Sequence, residues 1–245
     1  MIAHVNGIDM QWESTGDGEP LVWLHGFMGT GADWQHVFPD ALPGHRLIAP
    51  DLPGHGASSG RPGPYSFRQS ADDVYELLDS IGVDRVGIIG LSGGGITALH
   101  MATRQPERVT RLVAISAPAS FPPQAREIQR NFSEGMLGAA EMARMRGRHS
   151  REGQIEALMA QTRAFADATD PAFTDADLAS VTAPTLIVFG DRDFLYPVSM
   201  ACELRRTIPR SWLWVVPNGG HGPIFGAHAA PFRRIAAEFL TGAWD

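Results

Sequence analysis

The sequence predicts an α/β fold, with a mostly parallel sheet flanked by helices and interrupted once by a helical insertion. Three observations lead there. Short apolar runs punctuated by turn residues recur along the chain: "PLVWLHG", "HRLIAPDLPG", "RVGIIGLS", "VTRLVAISAP", "PTLIVFGD" and "SWLWVVPNGG". Runs of this length bounded by Gly, Pro and Asp are the pattern of strands. Most are apolar with little alternation, as strands covered on both faces of a parallel sheet must be. Between several of them the apolar spacing turns helical, which completes the alternation of an α/β chain.

The elements follow in order. "MIAHVNGIDMQW" alternates like two strands around an Asn-Gly turn, the short-loop hairpin signal. "SFRQSADDVYELLDSIG" is the clearest helix, with Ser66 as N-cap and Val74, Leu77, Leu78 and Ile81 on one face. After "VAISAP" no good strand returns until Thr185. The interval 119–182 contains strong helix formers, no proline between Pro123 and Pro171, and methionines at helical separations. It is expected to form a small helical cap or lid whose apolar side covers a substrate pocket, over a core made of 1–118 and 183–245. No internal repeat or low-complexity segment is visible.

Composition narrows the possibilities. The 245 residues are 44% hydrophobic and 19% charged, enough for one sizeable globular core. No run of about 18 apolar residues could span a bilayer. The first residues lack a basic stretch followed by an apolar one, so the cytoplasm is the expected location. A formal charge of −7 argues against a broad nucleic-acid surface. The single cysteine, Cys202 in "PVSMACELRR", can form no internal disulfide and reads as a buried structural thiol. All 20 basic residues are arginine. With no lysine there is no Walker lysine, no Schiff-base lysine and no Tyr-Lys reductase pair. The histidines are scattered and neither H-E-x-x-H nor paired-cysteine spacing occurs, so no metal is expected.

"IIGLSGGGITALHMA", residues 88–102, concentrates the chemistry. Its glycines do not fit the dinucleotide pattern G-x-G-x-x-G in its usual register. They do fit G-x-S-x-G through Gly90, Leu91, Ser92, Gly93 and Gly94, with a strand before and a helix after. That is the context of a nucleophile elbow, in which neighbours lacking a Cβ let strand and helix approach and the helix N-terminus favours negative charge. Acid and base candidates follow in a demanding order: Asp191 and Asp193 in "LIVFGDRDF", then His221 in "VVPNGGHGP".

On these motifs, with "LHGFMG" and "DLPGHGASS", the chain resembles the α/β-hydrolase fold family, in its compact group with a helical cap. The likeness extends over almost the whole chain and is least in the cap. It implies Ser92 as nucleophile, His221 as general base and then acid, and Asp193 as the partner that orients His221, with Asp191 the alternative acid. Oxyanion donors are expected at the backbone N–H groups of Phe27 and Gly93. His25 and His55 are expected to support their loops and Asp51 to tie one down. Met28 and Trp34 near the oxyanion loop, Phe121 and Met136 at the cap, and Leu195 and Phe225 by the acid and histidine are the candidate pocket walls, with Phe27. The cap arginines Arg126, Arg130, Arg144, Arg146, Arg148 and Arg151 are either a solvated face or readers of a carboxylate.

The implied activity is that of a cofactor-independent serine hydrolase, cleaving carboxylic esters or lactones of small to medium, largely apolar substrates through an acyl-enzyme. A C–C bond hydrolase of the same fold keeps the same triad. From other classes, a ligand receptor or a lyase or synthase does so too. Small molecules are the expected partners, with nucleic acid and membrane excluded, and the chain a monomer or homodimer.

Overall fold

The computed structural model describes residues 1–40, 42–149 and 151–244; position 245, the expected end of the second core part, lies outside them. The chain opens with the hairpin strands β1 (Ile2–Val5) and β2 (Ile8–Thr15), then β3 (Glu19–Leu24), β4 (His45–Pro50), α1 (Phe67–Ser80), β5 (Val86–Leu91), α2 (Gly93–Arg104) and β6 (Val109–Ile115). Four helices follow: α3 (Pro123–Arg130), α4 (Glu134–Arg148), α5 (Gln154–Ala164) and α6 (Asp175–Ala179). The chain then returns to β7 (Thr185–Gly190), α7 (Val198–Thr207), β8 (Ser211–Val216) and α8 (Ala229–Leu240).

The strands form one eight-stranded sheet in the order β1-β2-β4-β3-β5-β6-β7-β8. β1 and β2 join antiparallel, β2 and β4 likewise, and all other neighbours are parallel. Asn6 and Gly7, both at positive φ, make the turn between β1 and β2, as the Asn-Gly dipeptide requires. β3, β5, β6 and β7 lie inside the sheet, and the buried run VGIIGL of β5 shows why continuous apolarity marks such strands. β8 departs from that pattern. It ends the sheet, so Trp212, Leu213, Trp214 and Val215 are only half-buried despite their apolarity.

Each face of the sheet carries its own core. On one, Val22, Leu24, Ile88, Leu112 and Ile187 pack with residues of α1 and α2; on the other, Trp23, Ile89, Val113 and Val188 pack with Phe232, Ala236 and Phe239 of α8. The α1 N-terminus is capped by Ser66, whose side chain accepts from Gln69 N–H. Val74, Leu77 and Leu78 are buried, while Ile81 lies at the C-cap and is half-buried. Cys202 does not occupy the buried position expected of it. It stands exposed on α7, whose inward positions are taken by Ala201 and Leu204.

The segment between β6 and β7 leaves and re-enters the core at one place: Ser120 bridges Ala172, and Phe173 N–H donates to Ala119 C=O at 3.0 Å. It has a small core of its own, Met142, Met145, Ile155 and Met159, against which Met28 of the main body packs. Among the described residues no helix is long and apolar enough to cross a membrane.

Candidate active site

The site forms where the C-terminal ends of the parallel strands meet the helical insertion, the usual place for ligands on an open α/β sheet. Ser92 sits between β5 and α2 at φ 51°, ψ −115°. A residue with a side chain rarely adopts that conformation, at a cost of about 1–3 kcal/mol, unless its surroundings impose it. Here they do. A Cβ on Gly94 would lie 2.1 Å from Leu24 O, and one on Gly90 would lie 2.5 Å from Gly94 O. The helix therefore approaches the strands more closely than any other residue type permits, and the turn throws the serine outward.

His221 Nε2 lies 2.8 Å from Ser92 Oγ, and His221 Nδ1 lies 2.9 Å from Asp193 Oδ2. The carboxylate can only accept, so Nδ1 carries the proton and Nε2 presents a lone pair to the serine hydroxyl. The other oxygen, Asp193 Oδ1, accepts from Leu195 N–H at 2.8 Å and Tyr196 N–H at 3.1 Å, which fixes the carboxylate. The loops bearing acid and base come together because Gly190 ends β7: a Cβ there would stand 2.1 Å from Gly219 O. Asp191, the alternative acid, is exposed. Tyr196 packs its ring 5.2 Å from that of His221, and burial, with Asp193 adding, pushes its hydroxyl above the ordinary range, so it stays a neutral phenol.

Two backbone amides lie close to the serine. Gly93 N–H is at the first turn of α2, where no intrahelical acceptor exists. Phe27 N lies 3.2 Å from where a Gly93 Cβ would be. Neither amide donates to a backbone acceptor among the described residues. His25 Nδ1–H donates to Gly26 C=O at 2.8 Å, and Gly29 N–H to the same oxygen at 2.9 Å. Because a trans peptide holds its C=O and N–H antiparallel, anchoring that oxygen aims Phe27 N–H the opposite way. Asp51 accepts from Gly31 N–H and Ala57 N–H at 2.8 and 2.9 Å, tying the loop after β3 to the loop after β4.

The cavity above Ser92 has a volume of about 420 Å³. Phe27, Met28, Phe121, Met136, Leu195 and Phe225 all line it, but Trp34 does not. Trp34 is buried in the core beneath the sheet with Val37 and Phe38. It belongs to a short 3-10 helix, Gly31–His36, that turns its indole inward, a direction that its nearness in sequence to the "LHGFMG" loop could not reveal. Sequence reasoning missed Phe67, Phe132, Met145, Phe165 and Tyr196 as wall residues. Their helical spacing and loop position marked them only as apolar, and which apolar side chains face a cavity is decided by packing.

Of the cap arginines, only Arg148 lines the cavity, and it pairs with Asp33 at 3.2 Å. Arg126 donates to the carbonyls of Phe121, Ala166 and Ala168. Arg130 pairs with Asp167, Arg144 with Glu141 and Arg146 with Glu134, while Arg151 donates to Ala57 C=O. These five bind the insertion to itself or to the body.

The comparisons with known proteins agree with this architecture. The family model described as alpha/beta hydrolase fold matches residues 19–162. The 2-hydroxymuconate semialdehyde hydrolase of Pseudomonas sp. strain CF600 is 31% identical over 97% of this chain and 92% of its own. A pimeloyl-[acyl-carrier protein] methyl ester esterase of Vibrio campbellii is 27% identical over 95% of this chain and 99% of its own. Among solved structures, a meta-cleavage product hydrolase from Pseudomonas fluorescens IP01 superposes with a TM-score of 0.82 at 25% identity, covering 99% of this chain and 98% of that one. With its mostly parallel sheet, its strand-serine-helix turn and these matches, the chain belongs to the α/β-hydrolase fold family and is a hydrolase of that fold.

Proposed function

We propose that the protein hydrolyses carboxylic esters, lactones included, with a largely apolar acyl part, through an acyl-enzyme on Ser92 and without a cofactor. One observation carries this reading: the hydrogen-bonded chain Asp193–His221–Ser92 opens into a cavity walled mainly by Phe, Met and Leu. His221 takes the serine proton as Oγ attacks the ester carbonyl. The oxyanion forms between Phe27 N–H and Gly93 N–H, which supply charge stabilisation without reorganising. His221 then protonates the leaving alcohol, and a water molecule activated by the same imidazole releases the acid. The helical insertion acts as the lid that keeps bulk water from the acyl group.

The likeness to 2-hydroxymuconate semialdehyde hydrolase favours a second reading, hydrolysis of a C–C bond in a vinylogous diketone. Such a substrate bears an acidic enol or carboxylate that needs a cation. Among the described residues of the cavity wall the one arginine, Arg148, is already paired with Asp33 and has Glu141 in the same wall. That arrangement supports the ester reading.

The test is turnover of p-nitrophenyl esters from acetate to octanoate by the native protein and by Ser92→Ala. The variant is expected to lose about 10⁴- to 10⁶-fold in kcat, and a fluorophosphonate to label one serine per native chain. Equal turnover by the two proteins rejects the mechanism. Cleavage of a dienol diketone in preference to esters selects the second reading, and saturable binding with neither turnover nor labelling identifies a receptor.

A further inference from the structure

Three imidazoles outside the triad surround the oxyanion loop, their ring centroids 5.0 Å apart for His25 and His55 and 6.0 Å apart for His55 and His149. His25 Nε2 accepts from Leu52 N–H at 2.9 Å while its Nδ1–H holds Gly26 C=O. His55 Nε2 accepts from Met28 N–H at 3.1 Å while its Nδ1–H donates to Pro53 C=O at 3.0 Å. His149 Nδ1 accepts from Gly56 N–H at 2.9 Å while its Nε2–H donates to Met28 C=O at 3.0 Å. In every ring one nitrogen meets a donor and the other meets a carbonyl, so each is neutral and in a single tautomer.

Three of these six backbone groups lie on consecutive peptides of one loop. Gly26 C=O belongs to the peptide that carries Phe27 N–H; Met28 N–H and Met28 C=O come next. Met28 stands at φ 69°, a left-handed conformation that a residue with a long side chain keeps only when its neighbours impose it. Two of the three rings come from the loops of the main body. The third, His149, comes from the end of α4 in the helical insertion. Around it the insertion is sewn to the same loops: Arg148 pairs with Asp33, Arg151 donates to Ala57 C=O, and Gln154 Nε2 donates to the carbonyls of Gly54 and Gly56.

We propose that His149 is a positioning residue for the oxyanion loop: when the insertion is seated, its Nε2–H locks Met28 C=O, the same peptide's Gly29 N–H is thereby held on Gly26 C=O at 2.9 Å, and the Gly26–Phe27 peptide so anchored aims Phe27 N–H at the reacting carbonyl. Seating of the insertion and assembly of the anion site are then one event, which confines acyl-enzyme chemistry to the closed cavity. The inference rests on the serine-hydrolase reading and adds to it a residue that never touches substrate.

Conservative variants separate the two ends of the ring. An amide at 149 on the longer Gln side chain reaches the place of Nε2 and can still donate to Met28 C=O, whereas Asn reaches only the place of Nδ1 and keeps the Gly56 contact alone. With p-nitrophenyl butyrate, His149→Ala and His149→Asn are expected to lose about 10- to 100-fold in kcat with KM within about twofold, and His149→Gln to recover most of the loss. Affinity for an aryl trifluoromethyl ketone, whose serine adduct is a tetrahedral anion, should fall in proportion to kcat/KM. Arg130→Ala, which removes an exposed pair with Asp167 elsewhere in the insertion, should change neither. If His149→Ala does not fold, the Asn and Gln variants still decide, read alongside their thermal midpoints. A rise in KM at unchanged kcat, or equal activity of the Asn and Gln variants, overturns the proposal. A native protein that neither turns over the ester nor takes up fluorophosphonate overturns the serine-hydrolase reading instead.

Discussion

The turn around Ser92 and the helical insertion above it face the same cavity but are built on opposite principles. At the turn, backbone lies against backbone: Gly94 approaches Leu24 O, Gly90 approaches Gly94 O, and Gly93, Gly94 and Gly95 are buried. The insertion is held by side chains. Its own core is largely methionine, a residue that adapts its shape readily, and its ties to the body include Arg148, His149, Arg151, Gln154 and Gln161. Backbone contacts of this kind leave little room for rearrangement, so they hold Ser92 in one place. Side-chain contacts can break and reform, so this half can adapt its shape more readily than the turn.

The largest effect expected from the contrast is chemical. Asp193→Asn leaves the shape of the fixed half intact but lets His221 adopt the wrong tautomer, and kcat should fall about 10⁴-fold while fluorophosphonate labelling becomes correspondingly slow. Next is Gly94→Ala. The added methyl meets Leu24 O at 2.1 Å, backbone that cannot step aside, so the loss of stability should exceed the usual 1–3 kcal/mol of overpacking; a chemical denaturation midpoint near that of the native protein would show that the turn has slack.

In the adaptable half, Met145→Ala removes a buried side chain that also lines the cavity. It should cost about 2 kcal/mol, at the low end for such truncations because the methionine cluster can collapse, and shift kcat/KM towards longer or bulkier acyl groups across the ester series. A loss spread equally over all esters would place Met145 outside the acyl-binding surface.

Acidification tests the seam between the halves. Burial is the main cause holding His25, His55 and His149 below the ordinary value of 6.5. The unfolded chain therefore takes up protons first as pH falls below about 6.5, so the stability that these neutral rings support is complete above that pH and lost as pH drops through their lowered folded values. The thermal midpoint should decline from pH 7 to pH 5, and less steeply in His149→Gln. The smallest effect is expected at Gly147, in α4, where a Cβ would meet nothing within 4 Å. There Gly147→Ala should stabilise by about 0.5–1 kcal/mol, opposite in sign to Gly94→Ala.

The same contrast governs how far the sequence could be read. The strand-helix alternation, the Asn-Gly hairpin and the Ser66 cap were legible because each follows from local sterics or from burial of a short apolar run. Ser92, Asp193 and His221 were legible because a strained turn and its glycines impose a spacing that few other sites share. Trp34 and Cys202 were misread for a common reason: their sequence neighbourhoods told of an aromatic near a loop and a thiol on a helix, but the rotation of a short helical turn about its axis decides which way a side chain faces. β8 looked like an interior strand because an apolar run carries no label for the end of a sheet.

By itself, then, the amino-acid order determined the class of fold and the alternation of strands and helices that builds it, since these depend on propensity, periodicity and residue type. The tertiary structure alone decided which apolar residues form the cavity wall, that Arg148 is spent on Asp33, and that His149 meets Met28 across 121 positions of chain. Such contacts arise from the closure of distant segments on one another, and no local pattern of residues records where those segments will meet.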